Sequence, residues 1–369
     1  MLTAYFRPAS WLLLRLLVVL GLLLPQLVLA SPQVVFVNPA KHGEAFWDNV
    51  SSSMLAAAEE LDFQLEIVYS DRDGERMNQH TRSLLAEKNI DYLVLVNEEG
   101  AVLPSVRAAL SQKVHILLLL NDLTEAQKQL LIREGFDLSG LLTVIPDNYT
   151  TGYQMMLQLQ RCAIRLSMPV TSPLPVLMIG GDKLTPASTA RNQGALDYLA
   201  QQSWLQLDRF FYADWSQEQS YKLVSRRLEH LAETAVPKLI WSANDPIALG
   251  AVKAYSEKGV IAGKEACFVG LNWSSEILKE VISGSIESSF GGHFLAGGLA
   301  MVLIKDHLAG SSQLSMEFDM FALDKSNALR YLTLYGDAPW QRIAFSQFLL
   351  ANRVTYPSLS ATLLPPIDK

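Results

Sequence analysis

WSANDPIALGAVKAYSEKG, residues 241–259, decides how this chain is read. An apolar strand ends there and runs straight into a helix. Pro246 fits the first helical position, where its missing N–H costs nothing. Asp245 is then the expected N-cap, and Gly259 closes the helix. Asn244 is left over. It is a polar amide at the mouth of an apolar strand, without a structural duty of its own.

Outward from that junction, short apolar runs alternate with helical patterns. QVVFVN, FQLEIVYS, DYLVLVN and VHILLLLN are strands, with helices between them. The alternation restarts with LLTVIPD and the linker SMPVTSPLP, then PVLMIGG, LDRFFYAD, KLIWSAN and ACFVGLN. Near-continuous apolar strands separated by helices predict parallel sheets covered on both faces. The fold class is therefore α/β, with two units of small-domain size. MEFDMFAL reads as one further strand. PWQRIAFSQFLLANR, in the tail from Asp337, reads as an amphipathic helix packed on one unit.

Composition narrows the class. The chain has 369 residues, half of them hydrophobic, and a net charge of −7, which argues against nucleic acid as partner. Residues 1–30 carry Arg7 and Arg15, an apolar stretch, and a small-x-small pattern at Val28 and Ala30. That layout predicts a signal peptide cleaved near Ala30 and an exported protein. Two cysteines, Cys162 and Cys267, make no framework, and two buried thiols are expected rather than a bridge.

Catalytic and cofactor signatures are missing. The sequence holds no GxxxxGK[ST] loop, no GxGxxG after the first strand and no GxSxG elbow. Its six histidines do not pair at metal-ligand spacing. No metal, cofactor or enzymatic activity is expected. What remains is the set of residues at strand ends, where open α/β sheets bind ligands. They are His42, Phe46 and Trp47; Asn121 and Asp122; Arg191; Trp215; Asn244 and Asp245; and Asn272. Aromatic faces cover the C–H side of a sugar ring, while amides, carboxylates and an arginine fork bind hydroxyls. Phe46 and Trp47 are adjacent in a helix, so only one of them is expected to face the cleft.

The order NPAKHGEAFWDNV, STARNQGALDYL, FFYADWSQ, NDPIALGA and CFVGLNWSSEILKEVISGSIESSFGGHFLAGGLA resembles the type I periplasmic binding proteins. The similar branch holds the ribose and galactose binders and the autoinducer-2 binder. The resemblance spans residues 33–323. It implies two Rossmann-like lobes joined by a three-segment hinge, with crossovers near residues 145–147, 290–293 and 316–318. The implied lobes are 31–146 with 293–316, and 147–292 with 317–336, followed by a C-terminal extension at 337–369. It implies a monomer in the periplasm that captures a sugar-like ligand and presents its closed form to an ABC permease, or to the periplasmic domain of a sensor kinase or cyclase. The alternative ligand is a non-sugar signal, autoinducer-like or amino-acid-like. The resemblance makes Phe46 and Trp47 stacking aromatics, Asn121 and Asp122 a polar pair, Arg191 a clamp and Trp215 the aromatic of the opposite lobe. Asn244 becomes the amide before the helix. Asn272 stands where sugar binders carry an aspartate, and Gly291 near where they carry a glutamine. The small residues of FGGHFLAGG are expected to leave extra room for a ligand.

Overall fold

β1 (Gln33–Asn38) is buried from its second residue to its last, as a central strand of a two-faced sheet must be. A computed structural model describes residues 31–168, 173–352 and 358–364. The expected signal peptide and its cleavage site, and the middle of the SMPVTSPLP linker, lie outside those residues. Around β1 the order is β11 (Ser315–Phe318), β5 (Leu142–Pro146), β4 (His115–Leu119), β3 (Tyr92–Leu95), β1 and β2 (Gln64–Tyr69), all parallel. Its helices are α1 (Ala45–Glu60), α2 (Gly74–Glu87), α3 (Leu103–Ser111) and α4 (Glu125–Arg133).

The second sheet repeats the plan. Its order is β12 (Phe321–Asp324), β10 (Ser288–Gly291), β9 (Cys267–Leu271), β8 (Leu239–Ser242), β6 (Leu174–Gly180) and β7 (Leu205–Tyr212). The helices following in sequence are α5 (Asn148–Arg165), α6 (Pro186–Ala200), α7 (Gln217–Glu229), α8 (Asp245–Glu257), α9 (Ser275–Ser283), α10 (Ala296–Leu308), α11 (Ala328–Tyr335) and α12 (Leu359–Leu363). Among the described residues no helix is long and apolar enough to cross a membrane.

The chain passes between the sheets after β5, after β10, and between β11 and β12. MEFDMFAL, expected as one strand, is two strands in different sheets. The third crossover therefore lies at residues 318–321. β11 runs parallel to β5 and β12 antiparallel to β10. A strand that starts at the hinge runs away from it, against its neighbours.

The tail makes a fourth passage. α11 packs on α9 in the second lobe. The chain then returns to α1 and α10 of the first lobe, not as the expected single helix but as short 3₁₀ turns at Trp340–Arg342, Phe345–Phe348 and Leu350–Asn352. The turns break the helix because outside groups take its N–H donors. Phe345 and Ser346 donate their N–H to the Glu60 carboxylate, and Leu350 donates to Asp306. Phe345 seats against Gly298, where a Cβ would come 2.0 Å from its ring.

Cys162 and Cys267 are not two free thiols. They form a disulfide with Cα atoms 6.0 Å apart. α5 packs on β8 and β9, which turns a helix position toward the first residue of a strand 105 residues away. Pairing at that distance has no local sequence signature. Closing a loop of that length stabilises by about 3–5 kcal/mol in the chain-entropy account. Cys162→Ala with Cys267→Ala is expected to lower the urea-derived unfolding free energy by about that amount. An unchanged urea midpoint would contradict it.

Candidate functional site

Between the two sheets, at the carboxyl ends of their strands, lies a cavity of about 310 Å³. α1 meets it end-on. Its entry and first turn place Glu44, Ala45, Phe46, Trp47 and Asn49 around the space. That geometry corrects the expectation that only one aromatic faces it. Neighbours on a helix diverge when seen from the side, but both surround a space at the helix tip. Their rings meet edge-to-face at 5.2 Å.

Arg191 enters from the second lobe. α5 and α6 approach so closely that a Cβ at Gly152 would sit 2.0 Å from the Arg191 carbonyl oxygen, and one at Gly194 equally near that of Tyr149. The contact brings Arg191 to Asn148 at the start of α5. Nε donates to Asn148 Oδ1 at 2.8 Å and Nη1 to the Ala243 carbonyl at 2.9 Å. Its guanidinium lies 5.8 Å from the Trp215 ring. The side chain is buried with no carboxylate partner among the described residues, and burial pulls its pKa down to about 9. It stays charged at neutral pH.

Trp215 also lines the cavity, and its Nε1 donates to Asp182 at 2.6 Å. Asn121 lines it from β4's end while its Oδ1 accepts from the Ala187 N–H of the other lobe. Asn272 lines it with φ 142°, and neither side-chain polar atom has a partner among the described residues. Trp215 has φ 61°. Both tight turns store backbone strain at the cleft, on the order of 1–3 kcal/mol each.

Asn244 lines the cavity too, but it has the structural duty the sequence reading gave to its neighbour. It is the N-cap of α8: Oδ1 accepts from the Ile247 N–H at 2.9 Å, and Nδ2 donates to the Trp215 carbonyl. Asp245 is wholly buried beside the cavity. It accepts from the Ser274 N–H and Ser289 Oγ, both at 2.8 Å, tying α8 to the turns after β9 and at β10. Burial pushes its pKa up to about 7 against the pull of those donors.

Asp245, expected at the site, does not line the cavity, and two further expected site residues stand elsewhere. Asp122 is neutralised by Lys128 at 2.8 Å and accepts from the Leu123 N–H. His42 is exposed, edge-on to Tyr69. Nor does FGGHFLAGG leave room: a Cβ at Gly291 would lie 2.7 Å from the Trp273 ring, which fills that space.

The structure adds residues absent from the strand-end list. Arg72 follows β2, and Glu98 follows β3. Arg72 pairs with both Glu44 and Glu98 and lies over Trp47. Glu98 Oε2 is buried with no hydrogen-bond partner among the described residues, and burial raises its pKa to about 7. The strand-end rule, extended to β2 and β3, points to both. His293, on the second crossover, stacks on Phe46 at 4.6 Å. Its Nδ1 is buried without a hydrogen-bond partner among the described residues, and burial, then the nearby Arg191, hold it neutral. Among the described residues no group of three His, Cys, Asp or Glu is placed to hold a metal.

Residues 34–312 match the periplasmic binding protein domain family. The chain belongs to that family. As a periplasmic binding protein it is similar to a sugar-binding protein from Pseudomonas fluorescens, at 29% identity and a TM-score of 0.80 over 90% of this chain and 99% of that one. It shares its fold with the arabinose ABC transporter component from Shewanella sp. ANA-3 bound to L-arabinofuranose, at 18% identity and a TM-score of 0.69, over 85% of this chain and 98% of that one. The same holds for the Caulobacter myo-inositol binding protein, at 15% identity and a TM-score of 0.68, over 84% and 97%. No curated protein matches this binding protein significantly.

Glu98 gives the binding protein a measurable pH dependence. Its folded pKa is raised from 4.5 to about 7. Between those values the folded state holds a proton that the unfolded chain has released, so rising pH removes stability. Asp245, raised from 3.8 to about 7, acts in the same direction. His293 and His307, whose pKa values burial lowers from 6.5, act in the opposite direction. The test is therefore the difference in melting temperature between variant and parent: Glu98→Gln is expected to remove part of the stability loss as pH rises from 5 to 7. An identical slope in the variant would exclude Glu98 as a source.

Proposed function

We propose that the protein captures a sugar or sugar-like polyol between its lobes and presents the closed form to an ABC permease. One observation carries this reading. A single cavity combines aromatic rings from both lobes (Phe46, Trp47 and Trp215) with amide and guanidinium donors. Rings cover the apolar side of a pyranose or furanose, and the polar groups bind its hydroxyls. The names of the relatives, which bind a sugar, L-arabinofuranose and myo-inositol, support the same ligand class.

In this reading Phe46, Trp47, Asn121, Arg191, Trp215, Asn244 and Asn272 contact the ligand, joined by Glu98 and His293. Ligand contacts in both lobes favour the closed state over the open one. The lobes are residues 31–146 with 293–318, and 147–292 with 321–336, rotating about the three crossovers. Export ends with cleavage near Ala30. The tail from Asp337 adds a surface to the first lobe, and this favours, as a second reading, a membrane sensor kinase or cyclase as the reader of the closed form.

Thermal shift of residues 31–369 against sugars, polyols, nucleosides and amino acids tests the ligand class, since a bound ligand raises the midpoint by mass action. A shift from amino acids alone would sink the sugar reading. Asn272→Gly tests the site without disturbing the fold. Glycine accepts φ 142° freely, so unliganded stability is expected to hold or rise. Loss of one amide hydrogen bond is expected to weaken sugar binding by about tenfold, or roughly 1.4 kcal/mol. Unchanged affinity removes Asn272 from the contact set.

A further inference from the structure

Next to the first cavity lies a second, of about 320 Å³. It opens between the first lobe, at Asp73, Met77, Glu99 and Ala101, and the second lobe, at Asp214 and Ser216. The two cavities share four lining residues: Glu44, Arg72, Glu98 and Trp215. The partition between them is thus an ion cluster, Glu44–Arg72–Glu98, with the Trp215 indole across from it. Each cavity alone is at the small end of the range for small-molecule sites, which runs from about 300 to 1,000 Å³.

We propose that the ligand spans both cavities. On the sugar reading above, it is a glycoside or disaccharide whose second unit is neutral or cationic. One ring fills the first cavity and the linkage passes the Trp215 indole. The partition carries an acceptor with nothing to accept, since Glu98 Oε2 is buried and unpartnered while Oε1 holds Arg72. A hydroxyl at the junction of the two units supplies its donor.

Charge fixes the class of the second unit. Around the second cavity stand the carboxylates of Glu44, Asp73, Glu98, Glu99 and Asp214 against the one guanidinium of Arg72. Asp73 is absorbed in capping α2, where it accepts from the Glu75 and Arg76 N–H groups. Glu44 is absorbed by Arg72. The carboxylates of Glu99 and Asp214 are exposed and make no hydrogen bond or ion pair with described residues. They accept from hydroxyls or an ammonium, and they repel a uronate.

Calorimetry on residues 31–369 tests this with glucose, galactose and ribose, their methyl glycosides, cellobiose, lactose and a methyl glucuronide. At least one glycoside or disaccharide is expected to bind ten times tighter than its parent monosaccharide, and the glucuronide more weakly than the matching glucoside. Ala101→Phe fills the second cavity away from the first. It is expected to erase that advantage and leave monosaccharide affinity within twofold. Should that variant misfold, Asp214→Lys serves: it is expected to reverse the preference against the glucuronide. Monosaccharides binding as tightly as every glycoside, an advantage that survives in a folded Ala101→Phe, or an unchanged glucuronide preference in Asp214→Lys overturns the proposal and leaves the sugar reading standing. No binding of any carbohydrate, of one unit or two, is the failure of the sugar reading itself.

Discussion

Arg191 holds its charge inside the protein with no carboxylate partner among the described residues, and much of the cleft is arranged around that. A buried guanidinium is tolerable only when its donors are used. Here two donors go to an amide oxygen and a main-chain carbonyl, and the ring of Trp215 lies within cation–π distance. These partners come from separate parts of the second lobe: the start of α5, the end of β8 and the turn after β7. The glycine contacts between α5 and α6 make the meeting possible. His293, facing the same charge, stays neutral. The cleft is thus preorganised by the second lobe, while the first lobe supplies aromatic cover and a separate ion cluster.

The alternation of strands and helices was legible in the chain because buried parallel strands are apolar on both faces. Most strand-end residues were legible for the same reason: a polar side chain ending such a strand needs a purpose. The errors share a cause. Asn244 and Asp245 are neighbours that both suit an N-cap, and only the third dimension shows that Ser274 and Ser289 claim the aspartate. Asp122 is held in an ion pair by Lys128, six residues on, in the first turn of α4. Gly291 is small because Trp273 lies on it, not because a ligand does. The disulfide joins residues whose proximity depends on how a helix lies across a sheet. Periodicity carries none of this, because each case depends on which partner reaches a group first.

The two lobes are also joined by packing. Trp273, Phe321 and Tyr331 belong to the second lobe, and Phe294 follows the second crossover. Trp273 touches all three, and Phe294 in turn meets Trp340 of the tail at 4.9 Å. Aromatic rings bury large areas and prefer particular angles. A rotation about the crossovers therefore repacks this cluster along with the cleft. The tail joins the hinge to the first lobe: Trp340 meets the cluster, while Phe345 and Leu350 are held by Glu60 and Asp306 of that lobe.

That fourth passage of the chain has a spectroscopic side. Two indoles, Trp273 and Trp340, flank Phe294 where the lobes and the tail converge, and a third, Trp215, stands in the cleft. Indole emission follows the polarity and packing around the ring. The lobe rotation proposed above would change those surroundings in two places at once, which would give the protein its own unlabelled optical record of opening and closing.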